Sequence, residues 1–212
     1  MSIYPPVRDE MIRLLSPPRL STYEQACGQD MKSALALYQW NLEVSSSLFG
    51  SIHYFEVALR NTMHQQLAKS LGNGTTPWYD VPGVLNDGGS RTVRRAKSTV
   101  AAADHEVTDG RVVAELGLGF WWSLLADGYN RTLWQPSLQH AFVGARRATL
   151  HANINEIRLL RNRIAHHEPL IKHDLQAEYV RLLATAERIS PRLAWWIDAT
   201  STLSGALDGR PD

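Results

Sequence analysis

The sequence predicts an all-α protein. Three observations carry that expectation. Apolar residues recur at helical spacing through most of the chain, nothing reads as a convincing strand, and Val112-Val113 and Phe120-Trp121-Trp122 are the only β-like runs. The 212 residues are 44% hydrophobic and 20% charged, which suits one globular domain that buries a sizeable core. Within it, residues 1–29 form an N-terminal helical extension and 190–212 a C-terminal helix and tail.

The elements follow in order. Pro5-Pro6 and Pro17-Pro18 bracket a short helix over 8–15, and Ser21 can cap a second one ending near Gly28. Asp30 opens a long helical stretch that Gly72-Asn73-Gly74 closes. Leu35, Leu42, Phe49, Ile52, Phe55, Leu59, Met63 and Leu67 mark its apolar face. With Gly50 near the middle, the expectation is two helices or one kinked helix, breaking around 45–50. Residues 72–90, rich in Gly, Pro, Asn and Asp, read as a long loop. Ser90 or Thr92 starts a basic helix to about Ala103, and 108–116 reads as another. Residues 120–125 make a short aromatic helix and 138–142 one more turn. Residues 146–166 form the most regular helix of the second half, stopped by Pro169. Residues 174–189 follow, then a last helix from the Ser190-Pro191 cap pair to about Leu203.

The composition excludes several classes. Cys27 is the only cysteine, so there is no disulfide framework and no Cys-rich zinc site, and the expected compartment is the reducing cytoplasm. The start, MSIYPPVRDE, lacks a basic segment followed by an apolar run, and the longest strongly apolar stretch, 116–126, is about half a membrane span. The expectation is a soluble protein without membrane attachment.

The net charge of +1 hides an asymmetry. Residues 89–100 carry Arg91, Arg94, Arg95 and Lys97 and no acid. Residues 141–172 carry Arg146, Arg147, Arg158, Arg161, Arg163 and Lys172 against Glu156 and Glu168. Such a distribution fits either an anion-binding face or two solvated helix faces. On the first reading, Arg91, Arg94, Arg95 and Lys97 assist RNA binding without doing chemistry.

The densest constellation is 158–167, RLLRNRIAHH. At about 100° per residue, Arg158, Arg161, Asn162 and His166 share an arc of roughly 140°. His151 and Asn155 continue that polar face, while Leu150, Ile157, Leu160 and Ile164 face a core. Arginine offers a fixed fork of donors to phosphate oxygens, and imidazole titrates near neutrality and moves the proton of a hydroxyl. The mixture suits phosphodiester chemistry. His166 is preferred to His167 because it shares the face of Asn162, whereas His167 complements the helix dipole. A second stripe, His53, Glu56, Arg60 and His64, is either a Glu56–Arg60 pair or a support for the first helix from across the bundle.

The string Arg161-Asn162-Arg163-Ile164-Ala165-His166-His167 resembles the Arg-Asn-x-x-x-His motif of the HEPN superfamily. The surrounding pieces LSPPRLSTYEQACG, ALALYQWN, FEVALRNTMH, LGFWWSLL, TLWQP and RNRIAHHEPL resemble its Abi-like, abortive-infection branch. The resemblance implies a HEPN-like helical bundle that dimerises, bringing two motifs into one cleft. It implies a metal-independent endoribonuclease, a toxin or antiviral effector, needing no cofactor. Arg161, His166 and Asn162 carry over as the catalytic set, with His167, Arg158, Glu56 and Arg60 in support. RNA, a second copy of the chain and an antitoxin or regulatory RNA are the implied partners. The alternatives are a non-catalytic RNA- or nucleotide-binding module and the partner component of a toxin–antitoxin pair.

Other chemistries find no anchor. His167-Glu168 with His173 lacks metalloprotease spacing, no Gly-rich phosphate loop follows a strand, and no nucleophile elbow appears. Phe120-Trp121-Trp122 reads as core filling rather than base stacking, and Trp195-Trp196 as packing or a dimer contact.

Overall fold

The computed structural model describes residues 5–72 and 74–211, so the first four residues of the leader reading and Asn73 of the Gly-Asn-Gly stop lie outside the described residues. Among the described residues ten α-helices follow one another: α1 (Pro5–Leu15), α2 (Pro17–Ala26), α3 (Met31–Leu71), α4 (Asp87–Ala102), α5 (Asp109–Glu115), α6 (Leu118–Ser123), α7 (Arg147–Ala165), α8 (Leu175–Ile189), α9 (Pro191–Thr200) and α10 (Leu203–Asp208). Short 3₁₀ turns at Trp78–Asp80, Asp127–Tyr129 and Leu138–Ala141 and a π turn at Asn130–Trp134 complete the chain, with no strand among the described residues. The class is all-α. No helix is long and apolar enough to cross a membrane among the described residues.

The long helix α3 is the spine. Asp30 caps it, its carboxylate accepting from the amides of Lys32 and Ser33. It ends at Gly72, where a Cβ would stand 2.6 Å from the Ala68 carbonyl oxygen. It is a single helix of 41 residues, not the broken one expected at 45–50. Ser46 and Ser51 return their hydroxyls to the carbonyls of Leu42 and Ser47, so the serines stay inside the helix. Gly50 costs about 1 kcal/mol of propensity. Leu48, Ile52 and Phe55, all buried, hold the register on either side of it.

Helix α2 packs on the first turns of α3 through Leu20 and Tyr23, the latter edge-on to Tyr38. It begins at Pro17 rather than at a Ser21 cap, and the Ser21 hydroxyl donates to the Pro18 carbonyl inside the helix. Helices α7, α8 and α9 pack on α3 further along, and α10 returns to its start, where Trp40 Nε1 donates to the Ala206 carbonyl. The core runs as one cluster from Tyr23 to Leu203.

Three other expectations shift. The basic helix α4 starts at Asp87, because Asn86 caps it through the Gly89 amide ahead of Ser90. The helix expected to run to about Leu203 ends at Thr200, and a further helix, α10, follows from Leu203. Leu42 and Phe49 are not core: they are 51% and 43% exposed. Leu35 and Met63, on the same seven-residue stripe, are buried. Neighbouring elements cover the two ends of that stripe and leave its middle open.

Candidate functional site

Helix α7 carries the candidate motif and is fixed at both ends. At its start the Arg147 guanidinium donates to the Leu125 carbonyl and the Asp127 carboxylate, each at 2.7 Å. Leu150, Ile154, Ile157, Leu160 and Ile164 form its buried back. His151, Asn155, Arg158 and Asn162 line up along its half-exposed front. Part of this front is held by an aromatic stack. Trp122 of α6 stacks on His151 at 4.8 Å and lies under the Arg158 guanidinium at 4.5 Å, while its Nε1 donates to the His151 carbonyl. Arg158 also donates to Asn155 Oδ1 at 2.8 Å. Burial, and then the nearby Arg147 charge, hold the His151 imidazole below its ordinary pKa, which favours the neutral ring.

The helix ends in a Schellman turn. Glu168 N–H donates to the Arg163 carbonyl and His167 N–H to that of Ile164, with His167 in the left-handed region at φ 57°. The stop therefore precedes Pro169. His166 is the C-cap, and its N–H still donates to the Asn162 carbonyl at 2.9 Å, which keeps it in helical register with the amide face. The left-handed step takes His167 out of that register. Its carbonyl accepts from Arg19 of α2 at 2.7 Å, and the Leu170 amide donates to the buried Asn41 Oδ1 at 2.7 Å. The chain just past the motif is thus anchored to α2 and α3.

Arg161 turns from the front stripe toward α3, where Glu56 meets it. The Glu56 carboxylate lies 3.8 Å from Arg161 Nε and accepts the Leu118 amide, at the first turn of α6, at 3.0 Å. Arg161 Nε is buried without a hydrogen bond, and the side chain as a whole is 37% exposed. Glu56 thus contacts α7, and no Glu56–Arg60 ion pair occurs among the described residues. Arg60, one turn on, directs its guanidinium to the Ala114 carbonyl and the Asn61 side chain, each at 3.4 Å. Phe49, Ile52, His53, Glu56, Arg60 and Arg161 border a depression of about 160 Å³. Residues carrying two guanidiniums, one carboxylate and one imidazole therefore line one depression, three from α3 and Arg161 from α7. His166 follows Arg161 by five residues, about 7.5 Å along the helix axis.

Other candidates lie elsewhere. His64 leaves the stripe: its Nδ1 accepts from Trp78 Nε1 at 3.2 Å and its Nε2 faces Asp109 at 3.4 Å, which ties the 74–86 segment and α5 to α3. Lys97 is held by both Asp80 carboxylate oxygens at 2.6 Å and sits over the Tyr79 ring. Arg91, Arg94 and Arg95 are exposed on α4 and make no ion pair among the described residues. Phe120 and Trp121 are core, whereas Trp195 and Trp196 are 67% and 49% exposed. Spacing placed His53 on the stripe. Its place beside Arg161 depends on how α3 and α7 pack, which no local signal carries. No group of three or more His, Cys, Asp or Glu able to hold a metal ion occurs among the described residues. No known protein family, curated protein or solved structure matches this chain.

Proposed function

We propose that the protein is a metal-independent endoribonuclease of the HEPN type, acting as a dimer in defence or as a toxin. One observation carries the reading: Arg161 and Arg60 line one depression together with His53 and Glu56, at the end of the helix that bears Asn162 and His166. Two arginines lining one depression suit the non-bridging oxygens of a phosphodiester, whose charge grows as the 2′-hydroxyl attacks. His166 takes that proton or protonates the leaving 5′-oxygen, giving a 2′,3′-cyclic phosphate and a 5′-hydroxyl end. Glu56 acts through Arg161 and is a positioning residue.

The open middle of α3 supports a second copy as partner. Leu42 and Phe49 are exposed there, one above the other on the same face of the helix. Phe49 also borders the depression, so a copy seated on this face brings a second Arg161 to the same cleft.

The test is RNA cleavage in EDTA. The wild type cuts; His166→Ala falls roughly 10²–10⁴-fold and Arg161→Ala by a comparable factor, while His167→Ala falls much less. Circular dichroism serves as the folding control. RNA binding without cleavage by the wild type replaces this reading with a binding module. Sedimentation checks the dimer: Phe49→Glu gives monomers, and a wild type monomeric at micromolar concentration removes that part of the proposal.

A further inference from the structure

Away from the motif, the start of α4, helix α6 and the turn Asp127–Tyr129 enclose a second depression, of about 470 Å³. Its size is that of a small-ligand pocket. Gly88, Gly89, Gly119 and Gly128 line it, and no charged side chain does. A lining without charge suits a neutral group and offers nothing to neutralise a phosphate or a carboxylate.

The polar groups are few and mixed. Tyr129 is 6% exposed; its hydroxyl accepts the Asn86 amide at 3.1 Å, and no acceptor for its own proton occurs among the described residues. Gly89 permits that approach, since a Cβ there would lie 3.0 Å from the hydroxyl. Ser123 and Thr92 donate to the carbonyls of Phe120 and Gly88 and keep lone pairs free. The wall thus offers a donor and acceptors. The edge of a nucleobase asks for that combination.

Cations flank the depression on both sides. Exposed Arg91 precedes Thr92, and exposed Arg95 follows it by one turn. On the other side, a Cβ at Gly119 would stand 4.0 Å from Arg158 Cδ, so this wall backs onto the polar front of α7. From Arg158 to His166 the helix rises about 12 Å, a span for a short stretch of single strand.

We infer that this depression receives one unpaired base of a single-stranded RNA, with the adjoining phosphates on Arg91 and Arg95 to one side and on Arg158 to the other. The inference rests on the reading of the protein as one that acts on RNA.

The experiment measures binding, in EDTA, of a labelled single-stranded RNA 12-mer and of the same ribose-phosphate strand without bases. It uses the full chain carrying His166→Ala so that the RNA stays intact. Gly119→Leu and Gly128→Leu fill the depression, and at both positions a Cβ meets at most ordinary contact. Each should weaken binding of the RNA about tenfold, leave the base-free strand unaffected and leave the salt slope unchanged. Arg91→Ala with Arg95→Ala should flatten the salt slope for both strands. Filled variants that bind RNA like their parent overturn the inference. So does an equal loss for both strands, or a parent that binds no RNA. A wild type that never cleaves RNA but shows the base-dependent loss removes the nuclease reading and leaves this site standing.

Discussion

Glu56 is the ion-pair partner of Arg161 among the described residues. A unit-charge pair at 3.8 Å has a gross attraction of about 4 kcal/mol at an effective dielectric near 20. The two side chains are 37% and 21% exposed, so screening and desolvation reduce the net contribution to about 1 kcal/mol or less. Glu56→Gln keeps an acceptor for the Leu118 amide and removes only the charge. It should lower Tm by about 2–4 °C for a chain of this size. Glu56→Ala also leaves the part-buried Leu118 amide without its partner, adding about 1–2 kcal/mol of destabilisation. Cleavage gives the second readout. Glu56→Gln should lower kcat by roughly 10- to 100-fold at constant KM, because Arg161 is displaced by a fraction of a side-chain length. In an Arg161→Ala background it should do nothing further. Thermal melts and single-turnover cleavage on the four chains of the double-mutant cycle decide the matter. Refutation is a Glu56→Gln chain that melts and cleaves like the parent, with a coupling to Arg161 below about 0.3 kcal/mol.

Two further predictions concern stability. The Tyr23 hydroxyl is buried with no hydrogen-bond partner among the described residues, and burial, aided by the neighbouring Tyr38, pushes its pKa up to about 12. Tyr23→Phe should therefore leave Tm unchanged or raise it, by up to about 1 kcal/mol in stability. The folded state keeps a proton that the unfolded chain loses near pH 10, so wild-type stability should fall as pH rises from about 10 through 12 and the Phe variant should fall less steeply; denaturant melts across that range test the sign. His167 holds a left-handed φ of 57° at a position that glycine favours, so His167→Gly should raise Tm by about 2–4 °C, relieving about 1 kcal/mol of backbone strain. The Arg19 bond is to the His167 carbonyl and survives the change; a lower Tm would contradict the Schellman assignment.

Much of the fold was written in local patterns. The apolar back of α7, the Asp30 cap and the Ser190-Pro191 start are all as spacing and residue type imply. Each rests on interactions within about one helical turn, and such interactions are encoded where they act. The polar front of α7 was legible for the same reason.

Contacts between distant segments were decided only by packing. Periodicity put Leu42 and Phe49 on one face with Leu35, but whether a face is core depends on what lies against it, and Leu42 and Phe49 stay exposed where Leu35 is buried. Gly50 argued for a break, and buried neighbours on both sides kept the helix whole. The sequence showed Lys97 as one of four cations, and the fold brought Asp80 to it. By spacing, Glu56 was either a partner of Arg60 or a support for the motif helix; that it faces Arg161 across one depression followed from how α3 and α7 cross. Helical register sets the direction of a side chain, and only the packed tertiary structure sets what that side chain meets.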